Sequence, residues 1–145
     1  MAPQAVTAHA RAAKHGALYV EYLVQTRSTW GTRLKADGAT EEWSDPGGWQ
    51  PLVQVSPDEV AGFAALVRDG GFFALPEEIG DAEAPEDAAL LTWTVELDGR
   101  RHRVAARESS SNRNPVLRDL DAELQRIVGE ALNREADAAE LNERP

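Results

Sequence analysis

Between Val53 and Arg107 the chain sets out a helix with both ends marked, an aromatic step, an acidic loop and a hairpin. Ser56-Pro57-Asp58-Glu59 has the spacing of a capping box, with proline at the first helical position. Val60, Phe63, Ala64 and Val67 recur at helical spacing, and Gly70-Gly71 supplies a left-handed stop. Phe72 and Phe73 follow directly and are expected in the core. Asp98-Gly99, read as a two-residue turn, sets a register: Leu97 faces Arg100, Val95 faces His102, Trp93 faces Val104 and Leu91 faces Ala106. That register buries Leu91, Trp93, Val95, Val104 and Ala106. It places Glu96 beside Arg101 and Thr94 beside Arg103 on a solvated face.

Alternation over Leu18, Val20, Tyr22 and Val24, with Tyr19 and Leu23 opposite, reads as a central strand with two largely apolar faces. Residues 32–39 and 49–55 are weaker strand candidates, flanked by Asp37-Gly38 and by Asp45-Pro46-Gly47-Gly48. Residues 76–88 form a loop with six carboxylates and no base, and residues 109–113 a polar connection. Asn114-Pro115 caps a second helix whose stripe is Leu117, Leu120, Leu124, Ile127, Val128 and Leu132. The expected organisation is a flexible lead-in over 1–16, one domain over 17–133, and a charged helical extension or tail over 134–145. The fold class is α+β: an antiparallel sheet of four to five strands with two helices packed on one face.

Composition narrows the function classes. A net charge of −10 works against nucleic acid, where affinity rests on Lys and Arg at phosphates, and against an anionic membrane surface. It favours solubility or a basic partner. There is no cysteine, and the histidines (His9, His15, His102) show no metal-ligand spacing, so neither metal nor cofactor is expected. The acidic loop departs from calcium-loop spacing and reads as a solvated charge run. The glycine pairs at 47–48 and 70–71 do not open a helix as a phosphate loop requires. Ser109-Ser110-Ser111 lacks a nucleophile-elbow context, and no acid, base and nucleophile converge by local pattern. The expectation is therefore a non-enzymatic protein. With no apolar run of signal-peptide or membrane-span type, it is expected to be cytoplasmic.

Tryptophan carries the remaining signal. Trp93 belongs to the core by alternation, whereas Trp30, Trp43 and Trp49 fall in or beside turns and are candidates for either packing or partner contact. Arg27-Ser28, Val55-Ser56-Pro57, Phe72-Phe73-Ala74-Leu75-Pro76, Asp87, Thr94 to Gly99 and the Leu117/Leu120/Leu124 helix together resemble the emfourin family, protein inhibitors of protealysin-type thermolysin-like metalloproteases. The resemblance spans roughly residues 17–132. Ser28-Thr29-Trp30-Gly31 stands where that family has a glycine-rich turn, and residues 37–50 read as an enlarged loop. It implies a protein-binding module that docks against an enzyme cleft through Arg27, Ser28, Trp30 and Gly31, helped by Trp43 and Trp49. The Arg27–Arg33 segment is expected to be a turn with Trp30 at its tip. Two other readings stand beside this one: an accessory subunit of a larger cytoplasmic assembly, and a small enzyme of unknown reaction.

Overall fold

The computed structural model describes residues 17–80 and 88–143. The expected lead-in and most of the acidic loop therefore lie outside the described residues. Seven strands form one sheet: β1 (Leu18–Gln25), β2 (Thr29–Leu34), β3 (Ala39–Ser44), β4 (Gly48–Gln54), β5 (Glu78–Ile79), β6 (Leu90–Leu97) and β7 (Arg100–Arg107). The spatial order is β4-β3-β2-β1-β6-β7-β5. Helix α1 (Pro57–Asp69) follows β4, a 3₁₀ turn spans Phe72–Ala74, and α2 (Glu108–Arg113) and α3 (Pro115–Glu143) close the described chain.

The hairpin register is the one the Asp98-Gly99 turn dictates. Both turn residues have positive φ, 53° at Asp98 and 77° at Gly99, the backbone that matches the twist of the flanking strands. Strand β1 pairs with β2 on one side and β6 on the other, which explains its apolar character on both faces. One sheet face supplies Leu18, Val20, Tyr22, Val24, Trp93, Val95 and Val104 to a single core with Phe63, Val67, Phe72, Leu117, Leu120, Leu124 and Ile127. The capping box is complete: the Ser56 N–H donates to Glu59 Oε1 at 3.0 Å and the Glu59 N–H to Ser56 Oγ at 3.1 Å. Asn114 Oδ1 accepts from the N–H groups of Val116 and Leu117 to start α3.

Several expectations need correction. The sheet has seven strands rather than four to five, and it is mixed, because β5 runs parallel to β7. Residues 37–50 are no enlarged loop: they hold β3 and the start of β4, and the strand expected over 32–39 divides into β2 and β3 at the Asp37-Gly38 turn. The β3 sequence hides its strand because its Glu41 is neutralised across the sheet by Arg33 and Lys35 rather than by alternation with apolar residues. Between Ala39 and Glu41 the register shifts, and the buried Thr40 hydroxyl bridges both backbone groups of Val53 there. Residues 108–113 are helical, not an irregular connection. Leu132 is 43% exposed, and Ala131 takes the core position instead. Phe73 is only half-buried, with the Arg100 guanidinium 4.3 Å from its ring centroid. On the face away from the helices Thr94 is buried, not solvated, because it lies between the longer Glu21 of β1 and Arg103 of β7; Thr92, between Leu23 and Ala105, is buried too.

Candidate functional site

The six residues expected to contact a partner gather at one end of the β2–β4 half of the sheet but divide between its two faces. Arg27 and Ser28 sit in the β1–β2 turn, where the Thr26 N–H donates to the Ser28 carbonyl at 2.8 Å. This turn is confined to the residues before Thr29, so Trp30 is not at its tip. Trp30 is the second residue of β2 and lies in register with Val24, on the helix-covered face. Its ring meets Tyr22 edge to face at 6.0 Å, and it remains 43% exposed.

Gly31, Trp43 and Trp49 lie on the opposite face, which no helix among the described residues covers. Leu23, Gly31, Trp43 and Trp49 form one register line across four strands. A Cβ at Gly31 would stand 2.5 Å from the Tyr22 carbonyl oxygen and 2.6 Å from Leu23 Cδ2, so the glycine is what lets Leu23 close over the strand. Trp43 and Trp49 are directly paired cross-strand, edge to face at 5.5 Å. The Arg33 guanidinium lies 4.0 Å from the Trp49 ring centroid.

Trp43 and Arg33 are each fixed by a partner outside this aromatic–cation group. Trp43 Nε1 donates to Asp45 Oδ1 at 3.1 Å, and the other oxygen of Asp45 accepts from the Thr29 N–H at 2.7 Å. Asp45 thus ties the β3–β4 turn to the start of β2. Arg33 Nε donates to Glu21 Oε1 at 3.0 Å, and its Nη1 lies 3.6 Å from Glu41 Oε1. Lys35 Nζ reaches the same Glu41 oxygen at 3.2 Å. Tyr19 donates to Glu21 at 3.3 Å, and burial, followed by the Glu21 charge, pushes its phenol above the ordinary value. The row beside the tryptophans is therefore an ordered, internally neutralised set of charges.

Arg33, Asp45 and Glu21 were missed as site residues in the sequence. Reading the Asp37-Gly38 and Asp45–Gly48 segments as hairpin turns between adjoining strands would have put Arg33 on the tryptophan face by alternation. His102 has a structural contact: its Nε2–H donates to the Leu75 carbonyl at 2.6 Å, with the ring packed on Phe72. Among the described residues no group of three His, Cys, Asp or Glu could hold a metal ion. No helix among them is long and apolar enough to cross a membrane. Comparison with protein families and with curated proteins finds no match.

Proposed function

We propose that the protein is a non-catalytic protein-binding module whose contact surface is the face of β2–β4 turned away from the helices, with inhibition of a thermolysin-like metalloprotease as its most specific form. The observation that carries the reading is the Trp43–Trp49 pair with Arg33 stacked on Trp49. Tryptophan and arginine are the residue types most enriched where binding energy concentrates. Their restraint by Asp45, Glu21 and Glu41 means that docking immobilises side chains already held, which lowers the entropic cost of association. The Arg27-Ser28 turn and the Asp45–Gly48 turn sit side by side through the Asp45–Thr29 bond, and they give this end of the sheet a blunt tip suited to entering a cleft.

The test is peptide hydrolysis by a protealysin-type metalloprotease in the presence of the parent protein and of the Trp43→Ala/Trp49→Ala double variant. The parent should inhibit, and the double variant should do so with affinity lower by about thirtyfold, the loss of roughly 2 kcal/mol typical of such anchors. An enzyme running at full rate with saturating parent ends the inhibitor form. Equal affinity of parent and double variant for any captured partner ends the assignment of the surface.

A second reading, an accessory subunit of an assembly, is favoured by one observation. The last turns of α3 run past the core with Leu132 43% and Leu141 64% exposed. Truncation of α3 after Asn133 would abolish association under that reading and leave it intact under the first.

A further inference from the structure

At the end of the sheet remote from Trp43 and Trp49, β1 begins between two hairpin tips, and the recess there is a cavity of about 730 Å³. Small-molecule sites fall in the range of roughly 300–1,000 Å³. Leu18 and Leu97, cross-strand partners on β1 and β6, give it a buried apolar lining. On one side stand Lys35 and Ala36, where β2 has ended; on the other stand Gly99, Arg100 and Arg101 of the β6–β7 hairpin.

The sign of the charge is inverted in this recess. Its lining holds three cations, Lys35, Arg100 and Arg101, against one carboxylate, Glu96, in a molecule of net charge −10. Beyond about 8 Å physiological salt screens the rest of the molecule, so the local excess governs what binds. Lys35 Nζ lies 3.2 Å from Glu41, and Arg101 Nη1 donates to Glu96 at 3.1 Å. Arg100 makes no ion pair among the described residues. The Asp98 carboxylate near it is taken by Arg68, whose Nε and Nη2 donate at 2.8 and 3.1 Å. Asp37, on the other tip, accepts from the Ala39 N–H of its own turn at 2.9 Å. What holds Arg100 is the Phe73 ring, with its centroid 4.3 Å from the guanidinium carbon. Stacking uses the face of a guanidinium and leaves the N–H groups in its plane free. Such a fork matches a carboxylate, which accepts two parallel hydrogen bonds.

We infer that this recess binds a small amphipathic carboxylate, a monoanionic head on an aromatic or branched aliphatic body. The head accepts from Arg100, Lys35 and Arg101 add charge at the rim, and the body lies against Leu18, Leu97 and the Ala36 methyl. A phosphate dianion is matched less well, because no helix terminus is among the lining residues and the two flanking cations already have carboxylate partners. Residues 1–16 lead into Ala17 at the rim and carry Arg11 and Lys14 but no acid, so the chain's own amino-terminal residues do not supply the anion. The recess shares no residue with the tryptophan surface proposed above, and each holds or fails without the other.

The experiment is a titration of the isotopically labelled full chain with hydrocinnamate, followed by the backbone amide resonances, with hydrocinnamamide as the uncharged control. The carboxylate should give saturable shifts at the Ala36, Leu97 and Gly99 amides, and the uncharged control should bind about tenfold more weakly or less. Arg100→Gln should weaken the carboxylate about tenfold. Ala36→Trp, which fills the recess from one side, should abolish the saturable shifts. Both positions are exposed, so both variants should keep the amide spectrum of the fold. Trp43→Ala, which disables the other surface, should leave the titration unchanged. Equal affinity for the two compounds, displacement of the carboxylate by equimolar inorganic phosphate, unaltered affinity in Arg100→Gln, or the absence of saturable shifts at these amides would each overturn the inference.

Discussion

Glu59 performs two tasks at once, and replacing it with glutamine separates them. Its Oε1 closes the capping box on the Ser56 N–H, and it also receives Arg134 Nη2 from α3 at 2.7 Å. The Arg134 hydrogen bond, opposed by burial and helped by the Ser56 backbone, holds the Glu59 carboxyl at about 2, against an ordinary 4.5. At about 1.36 kcal/mol per pH unit, that depression is worth at most about 3.4 kcal/mol. Arg134 is 51% exposed, so solvent screening reduces the contribution to about 1–2 kcal/mol. Glu59→Gln retains an oxygen acceptor for Ser56 but loses the charge, so it should lower stability at pH 7 by about that amount. A carboxyl depressed in the folded state stabilises above its unfolded pKa, and the contribution is lost as pH falls through the folded value. The gap between parent and variant should therefore shrink across the window from 4.5 down to about 2. Urea unfolding followed by circular dichroism at pH 7, 5, 4 and 3 measures that gap, and other carboxylates cancel because both proteins share them. A gap that stays constant from pH 7 to 3, or widens, would refute the assignment of the charge to the α1–α3 contact.

Trp93→Ala should cost about 3–5 kcal/mol, because the ring is fully buried against Tyr22; urea denaturation checks it. Thr92→Val should leave stability unchanged or raise it by up to about 1 kcal/mol, since the buried Thr92 Oγ1 has no hydrogen-bond partner and valine keeps the β-branched shape; a lowered melting temperature would contradict this. Trp30→Ala should cost only about 1 kcal/mol, the worth of one edge-to-face contact from an exposed ring. A fall of many degrees in thermal melting would make Trp30 a packing residue first.

Local signals that rest on one segment were legible in the sequence. The capping box, the Gly71 left-handed stop, the Asn114 cap and the hairpin register all depend on residues a few positions apart, and all four are present. What escaped depends on neighbours far along the chain. β3 is a strand because Arg33 and Lys35 stand across from Glu41, and β5 exists because Ala105 offers its N–H to the Glu77 carbonyl. The candidate site suffered the same way. Trp43 and Trp49 were visible as aromatics near turns, but their pairing follows from the β3–β4 register. Trp30 escaped because the turn read over Arg27–Arg33 takes in five residues of β2.

The sheet order also governs how the chain can assemble. β1 to β4 form a meander of successive hairpins, and β6 and β7 form another, so each half closes short loops. They meet along β1 and β6, where Tyr22 and Trp93 are opposite each other although roughly seventy residues apart in sequence. Among the strand pairs that seam closes the longest stretch of chain and so carries the largest loop-closure cost, and the Tyr22–Trp93 stack is one of the contacts that offsets it. Truncations at the seam should therefore slow folding itself, whereas truncations in the β3–β4 hairpin should chiefly hasten unfolding.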